Sequence, residues 1–147
     1  MSLDPDRHAD PRVSVVMVTY GAWDHTQTAL SALVDNTTVP FELVVVDNDS
    51  PDETRHHLSQ LKNAEVILNH SNQGFGPAVN QASERARGEY LVLLNTDAAV
   101  HPHWLEPLIE AFEQPDTGAV VPRCLNPDGS LQEAGVLLAR DGTVLVY

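Results

Sequence analysis

Short, nearly unbroken apolar blocks recur along the chain, each followed by a polar turn and then by apolar residues at helical spacing. Val13–Thr19 is the first, rich in β-branched residues, and its continuous apolarity predicts a strand covered on both faces. From Trp23 to Asp35, the residues Trp23, Ala29, Leu30, Leu33 and Val34 keep a roughly helical period. Glu42–Asp47 predicts a second buried strand. Ser50-Pro51-Asp52-Glu53 reads as a helix start, with a serine cap, proline at the first helical position and glutamate three residues after the cap; that helix is expected to reach about Leu61. Glu65–Asn69 is a third strand, and Pro77–Arg87 a third helix closed by Gly88. Glu89–Asn95 is a fourth strand, and a fourth helix runs from His101 to Glu113 and stops at Pro115.

Strand and helix thus alternate four times, which predicts an α/β fold: a mostly parallel sheet with right-handed crossovers and helices on both faces. Ligands bind such sheets at the carboxyl ends of the strands. Beyond Gly118 the pattern weakens. Gly118–Pro122 is a candidate fifth strand, Asn126–Gly129 a turn, and Gly135–Leu138 with Thr143–Val146 a candidate hairpin about Asp141-Gly142. Residues 1–11 are polar with two prolines and read as a disordered or added leader. The chain ends on Tyr147 inside an apolar stretch, so residues 12–147 are expected to be a domain incomplete at its C-terminus.

Charge narrows the function classes. The 147 residues carry 21 acidic and 8 basic side chains, a net charge of −13, which disfavours nucleic acid as a partner. An acidic protein that binds phosphates needs helix N-termini or a divalent cation to hold them. Cys124 is the single cysteine, so no intrachain disulfide or thiolate metal cluster is possible, and a buried or half-buried thiol is expected. No apolar run is long enough to span a bilayer, which suggests a soluble, cytoplasmic domain.

Four polar clusters fall at the predicted strand ends. Thr19-Tyr20-Gly21 offers a hydroxyl, a ring and a flexible glycine to a nucleobase or ribose, or simply forms a βα turn. Asp47-Asn48-Asp49-Ser50 follows the second strand; Asp47 is placed to accept hydrogen bonds from a ligand or to make a turn, and Ser50 is explained by capping. Asn72-Gln-Gly74-Phe75-Gly76-Pro77-Ala-Val-Asn80 is a flexible loop entering a helix, with Asn80 one turn inside; it matches a dinucleotide-binding loop poorly, because Asn80 stands at the third glycine position. Asn95-Thr96-Asp97 presents hard oxygen ligands suited to Mg²⁺ or Mn²⁺, or again a turn. His101 and His103 do not share a helix face, so they are expected to be exposed cap residues rather than zinc ligands, and His56-His57 to lie on a solvated face.

In this order and at these strand ends, Val13–Tyr20, Val44–Ser50, Asn72–Asn80 and Leu93–Asp97 resemble the family 2 glycosyltransferases of GT-A fold, over about residues 12 to 135. The subgroup most resembled includes bacterial rhamnosyltransferases and similar cell-surface polysaccharide enzymes. The resemblance implies a GT-A-type, Rossmann-like domain. Thr19, Tyr20, Asp47 and Asn48 would surround the base and ribose of a nucleoside-diphosphate sugar, UDP- or dTDP-linked, with Gly74, Phe75 and Asn80 lining the same pocket. Asn95 and Asp97 would match the metal-binding DXD signature, with Asn95 in place of the first acid. His101–Leu105 resembles the helix start after that signature, and Pro127–Gln132 a loop on the acceptor side. The implied reaction is a single in-line displacement onto a glycan or lipid-linked acceptor, in the cytoplasm or at the inner face of the membrane. The family's base motif has no counterpart before Tyr147, so no catalytic residue is assigned, and donor binding without full transfer is expected. A non-catalytic nucleotide-sugar-binding module is the alternative. A nucleotidyltransferase fits less well, since Tyr20–Asp24 lacks the basic residue its first loop would need.

Overall fold

The computed structural model describes residues 10–138 and 143–146, so residues 1–9 of the expected leader and the expected Asp141-Gly142 turn lie outside the described residues. Two compact units divide the chain, Met1–Trp104 and Leu105–Tyr147.

The first unit is built on β1 (Val13–Thr19), β2 (Phe41–Asp47), β3 (Glu65–Leu68) and β4 (Tyr90–Leu93), all parallel, in the order β3-β2-β1-β4. Helices α1 (Trp23–Asn36), α2 (Thr54–Leu58) and α3 (Phe75–Ser83) make the connections. Val16, Val44 and Val46 pack with Ala78 and Ala82 of α3, whose small side chains let the helix approach that face of the sheet. The alternate side chains, Val13, Val15, Met17, Leu43 and Val45, are buried as well, as the continuous apolar runs of β1 and β2 require. β4 is one of the two edge strands, and its Leu91 and Leu93 are exposed rather than buried.

Two helices differ from expectation at their starts. The Ser50 hydroxyl accepts from the Gly21 N–H at 2.7 Å instead of capping a helix, and α2 begins only at Thr54, whose N–H is taken by Asp52 at 3.0 Å. Conversely α3 starts at Phe75, two residues before Pro77; the proline falls within the first turn, where its missing N–H leaves no bond unmade.

A buried acid ties the amino ends of the strands together. Glu42 accepts from the Ser14 hydroxyl at 2.6 Å, from the Arg87 backbone N–H, and from the Arg87 guanidinium at 2.8 Å. Burial pushes the Glu42 carboxyl up, but the hydrogen bonds from Ser14 and Arg87 together outweigh it and hold the group below its ordinary 4.5. A depressed carboxyl contributes stability that is present above its unfolded value and lost as pH falls through its folded value. Glu42→Gln is therefore expected to flatten the loss of stability between about pH 5 and about pH 3, as read from urea unfolding midpoints. An unchanged acid slope would remove Glu42 from that role.

The second unit contains α4 (Glu106–Glu110), continued by a 3₁₀ turn at Ala111–Glu113, so the expected helix from His101 begins five residues late. Gly118–Pro122 forms no strand: Val121 is exposed, and Pro122 lacks the N–H that a ladder needs. Instead β5 (Cys124–Leu125) and β6 (Leu131–Glu133) pair antiparallel around the expected turn, and Cys124 is half-buried. The expected hairpin is present as β7 (Val136–Leu138) and β8 (Val144–Val146), antiparallel. No helix among the described residues is long and apolar enough to cross a membrane.

Candidate functional site

The strand order reverses at the end of the sheet where the sequence expected ligands. From β1 the chain steps outward through β2 to β3, then returns to β4 on the other side of β1. The reversal lies between the carboxyl ends of β1 and β4, the position at which open α/β sheets bind ligands. Thr19 ends β1 and pairs in register with Asp47 at the end of β2. On the other side Leu94 N–H bonds to the Val16 carbonyl, so Asn95–Asp97 leave the sheet close to the end of β1. The segment that follows is anchored to the end of α1: Asn36 donates to the Val100 carbonyl at 2.9 Å, and the Trp104 indole to the Thr37 hydroxyl at 3.0 Å.

The β1–α1 loop is held open by its neighbours. Gly21 and Ala22 both adopt positive φ, 72° and 58°, and their N–H groups are captured by Ser50 and by Asp52 at 2.8 Å. Trp23 stacks on His57 with ring centroids 4.4 Å apart, so His57 is half-buried, not a solvated helix residue. Tyr20, next to these anchors, is left 59% exposed. Phe75, at the start of α3, is 57% exposed, an unusual state for a phenylalanine unless its ring awaits a partner.

Asn48 joins the two loops. Its N–H donates to the Thr19 carbonyl at 2.8 Å. Its side-chain nitrogen donates to Asn72 at 2.9 Å and to the Gly74 carbonyl at 3.2 Å, while its oxygen accepts from Asn69 and from the Gln73 N–H, both at 3.1 Å. All four hydrogen-bonding positions of the amide are thus used, and the side chain is buried. It shapes the Gly74–Phe75 loop from beneath. Gly74 itself needs its freedom, because it starts the helix at φ 86°.

Asp47 is also interior, at 0% exposure. The Arg55 guanidinium binds its Oδ2 at 3.0 Å, while the Ser50 N–H (3.3 and 3.4 Å) and the Thr19 hydroxyl (3.4 Å) make longer contacts. Arg55 donates as well to the Asn69 carbonyl at 2.6 Å, and Asn69 is held by Gln81 at 3.0 Å. Arg55, Asn69 and Gln81 carried no expected role. Their signal is faint: Arg55 is the sole Lys or Arg between Val13 and Leu61, and Asn69 is the polar residue that closes the third apolar run.

Asn95 and Asp97 differ from all of these. Both are exposed, and neither side chain has a partner among the described residues. Two free, hard oxygen donors at a strand end suit Mg²⁺ or Mn²⁺, which takes one or two protein groups and completes its shell with phosphate and water. The protein alone supplies too few: no cluster of three His, Cys, Asp or Glu able to hold a metal exists among the described residues, and His101 and His103 are exposed outside any helix. The residues therefore fit a cation that arrives with a phosphorylated ligand. Asn80, within α3, is exposed. In the other unit Asp128 accepts from the Ser130 N–H and hydroxyl, a turn that lowers its carboxyl through hydrogen bonding to Ser130.

Three similarities bear on this arrangement. The chain is 34% identical to the O-antigen biosynthesis protein RfbC of Myxococcus xanthus, over 90% of the chain and 11% of that protein. It is 33% identical to the putative teichuronic acid biosynthesis glycosyltransferase TuaG of Bacillus subtilis, over 59% of the chain and 36% of that protein. Its fold matches that of the mannosyltransferase PcManGT from Pyrobaculum calidifontis, solved with GDP-Man and Mn²⁺, at TM-score 0.70 and 25% identity, covering 86% of the chain and 39% of that structure. The chain thus spans well under half the length of each of these proteins. Glycosyl transferase family 2 matches residues 14–138, a stretch that takes in every strand end described above, and the chain belongs to that family.

Proposed function

We propose that this chain forms the donor- and metal-binding part of an inverting glycosyltransferase that takes a nucleoside-diphosphate sugar and serves a polysaccharide, other cell-surface glycan or lipid-linked acceptor. The observation that carries the reading is the pair of free, exposed oxygen ligands, Asn95 and Asp97, beside the end of β1 in a protein of charge −13. A bound Mg²⁺ or Mn²⁺ would neutralise the diphosphate leaving group. Asp97 would hold it, with Asn95 contributing its amide oxygen. Tyr20 and Phe75 offer exposed rings to the base. Thr19, Asp47 and Asn48 form the floor, and Gly74 and Asn80 the wall on the α3 side. The kinship with RfbC and TuaG supports a surface-glycan acceptor, and the four motifs support the rhamnosyltransferase-like subgroup. UDP and dTDP are the donors proposed, and GDP joins them because PcManGT was solved with GDP-Man.

The test is calorimetric titration with UDP, dTDP and GDP, with and without Mn²⁺. Binding of at least one nucleotide that strengthens about tenfold or more with Mn²⁺ is expected. A folded protein that binds none of them would instead be a degenerate module, a state to which Asn95 at the first signature position would contribute.

A further inference from the structure

Neither Asn95 nor Asp97 has a side-chain partner among the described residues, so their turn takes its shape from what holds the backbone on either side. Upstream, the Leu94 N–H bonds to the Val16 carbonyl at 3.0 Å, and the Ala98 N–H closes the turn on the Asn95 carbonyl at 3.3 Å. Downstream, two side-chain bonds tie the segment to the end of α1. Asn36, the last residue of that helix, donates its Nδ2 to the Val100 carbonyl at 2.9 Å, three residues beyond Asp97. The Trp104 indole donates to the hydroxyl of Thr37, itself buried, at 3.0 Å. Between these two bonds His103 adopts φ 60°, a conformation that a non-glycine residue keeps where its surroundings impose it. The helix that receives the bonds is a firm support. It buries Thr26, Ala29, Leu30 and Leu33, and the Gly21 and Ala22 N–H groups at its start are held by Ser50 and Asp52.

We infer that Asn36, together with the Trp104–Thr37 bond, is a positioning residue for the cation, fixing the backbone from which Asn95 and Asp97 reach the metal. This rests on the proposal that a divalent cation binds there with a nucleoside diphosphate. A small hard cation such as Mg²⁺ demands near-ideal geometry of its ligands, and a site works when those ligands are held to within about 0.5 Å. Exposed side chains on a turn anchored at one end only would have to be ordered by the cation, and that entropy would be lost from the affinity. With Val100 bonded to α1, the turn is anchored on both sides before any ligand arrives. Asn36 acts on backbone alone, so its effect falls on the metal-linked part of the affinity and not on the nucleotide's own contacts.

The experiment measures, by calorimetry, the affinity gained on adding Mn²⁺ for whichever of UDP, dTDP and GDP binds wild type best. The variants are Asn36→Leu, which keeps much of the side-chain volume without a donor, Trp104→Phe, the two combined, and Asn36→Gln. The single variants are included because the double variant removes two bonds and risks the fold. Asn36→Leu is expected to cut the gain by about threefold and the double variant by about tenfold, the low end for losing the groups that support metal ligands. Affinity without Mn²⁺ is expected to stay unchanged, and Asn36→Gln, which keeps a donor, to retain more of the gain than Asn36→Leu. Amide exchange of residues 96–104 in the ligand-free chain is expected to quicken in the same variants, while β1 and β2 stay protected. Glu42→Gln, which alters stability at the amino ends of the strands, is expected to leave the gain as it is. An unchanged gain in any folded variant whose segment exchanges faster would overturn the inference. So would unchanged exchange in all of them, or a gain that falls equally in Glu42→Gln. Absence of nucleotide binding by folded wild type would overturn the donor-binding proposal, and this inference with it, whatever the exchange shows.

Discussion

Gly88→Ala is expected to destabilise the protein by about 3 kcal/mol, at the upper end of the range for forcing atoms into a packed interior. A Cβ on Gly88 would lie 2.5 Å from the Ser14 nitrogen, 2.6 Å from the Val13 carbonyl carbon and 2.9 Å from the Ser14 hydroxyl. Two of these three are backbone atoms of β1, which is paired on both sides, to β2 and to β4. β1 therefore cannot yield without disturbing two ladders. Moving Gly88 away instead would stretch its N–H bond to the Ser14 hydroxyl, now 2.8 Å, and draw Arg87 off Glu42. Urea unfolding measures the cost, with Gly118→Ala as control because its added Cβ would meet nothing within 4 Å. A loss under about 1 kcal/mol would mean that the turn before β4 relaxes freely, and that the contact is no constraint on the fold.

The same residue shows what the sequence could and could not convey. Gly88 reads in the sequence as the residue that closes a helix, but α3 already ends at Ser83, and the closeness of Gly88 to Ser14, seventy-four positions away, depends on the sheet being assembled. β1 and β2 were legible almost to the residue, because a strand covered on both faces must be apolar throughout, and few other structures demand that. The helices were less so. Ser50 has the chemistry of a cap, yet the Gly21 N–H brought beside it by tertiary packing wins its hydroxyl, and α2 shrinks to five residues. For the site, spacing identified which strand ends are polar but not which side chains stay free. Asp47 was readable as a ligand contact or a turn residue, and both it and Asn48 make internal bonds, whereas Asp97 was readable as a metal ligand or a turn residue and has no partner among the described residues.

The distribution of charge connects these facts. Arg12, Arg85 and Arg87 are paired with Glu89, Glu65 and Glu42 at the amino ends of the strands. The segments that follow the carboxyl ends carry Asp47, Asp49, Asp52 and Asp97 against Arg55, which is already bound to the first of them. A diphosphate entering there would meet net negative charge, which is the ground for expecting its binding to depend on a cation. That expectation locates the functional weight of the site on the free acid.

Asp97→Ala is accordingly expected to weaken Mn²⁺-dependent nucleotide binding by about 100-fold or more, the scale on which removing a metal's carboxylate ligand acts. It is expected to leave unfolding free energy within about 0.5 kcal/mol of wild type, because an exposed side chain without partners contributes little to the fold. The two readouts are opposed to those of Gly88→Ala, which damages the fold first. Asn95→Asp sharpens the test: a second carboxylate is expected to tighten Mn²⁺-dependent binding, since the present amide brings an oxygen but no charge. Calorimetry of each variant with UDP, at fixed Mn²⁺ and in its absence, separates the metal-linked part of the affinity from the rest. If Asp97→Ala binds Mn²⁺ and nucleotide as wild type does, the cation sits elsewhere and the strand end after β4 loses its assigned role. If it loses only the metal-linked part, the strand reversal between β1 and β4 is the diphosphate end of the donor site, and the charge layout of the sheet is the reason that a cation is needed there.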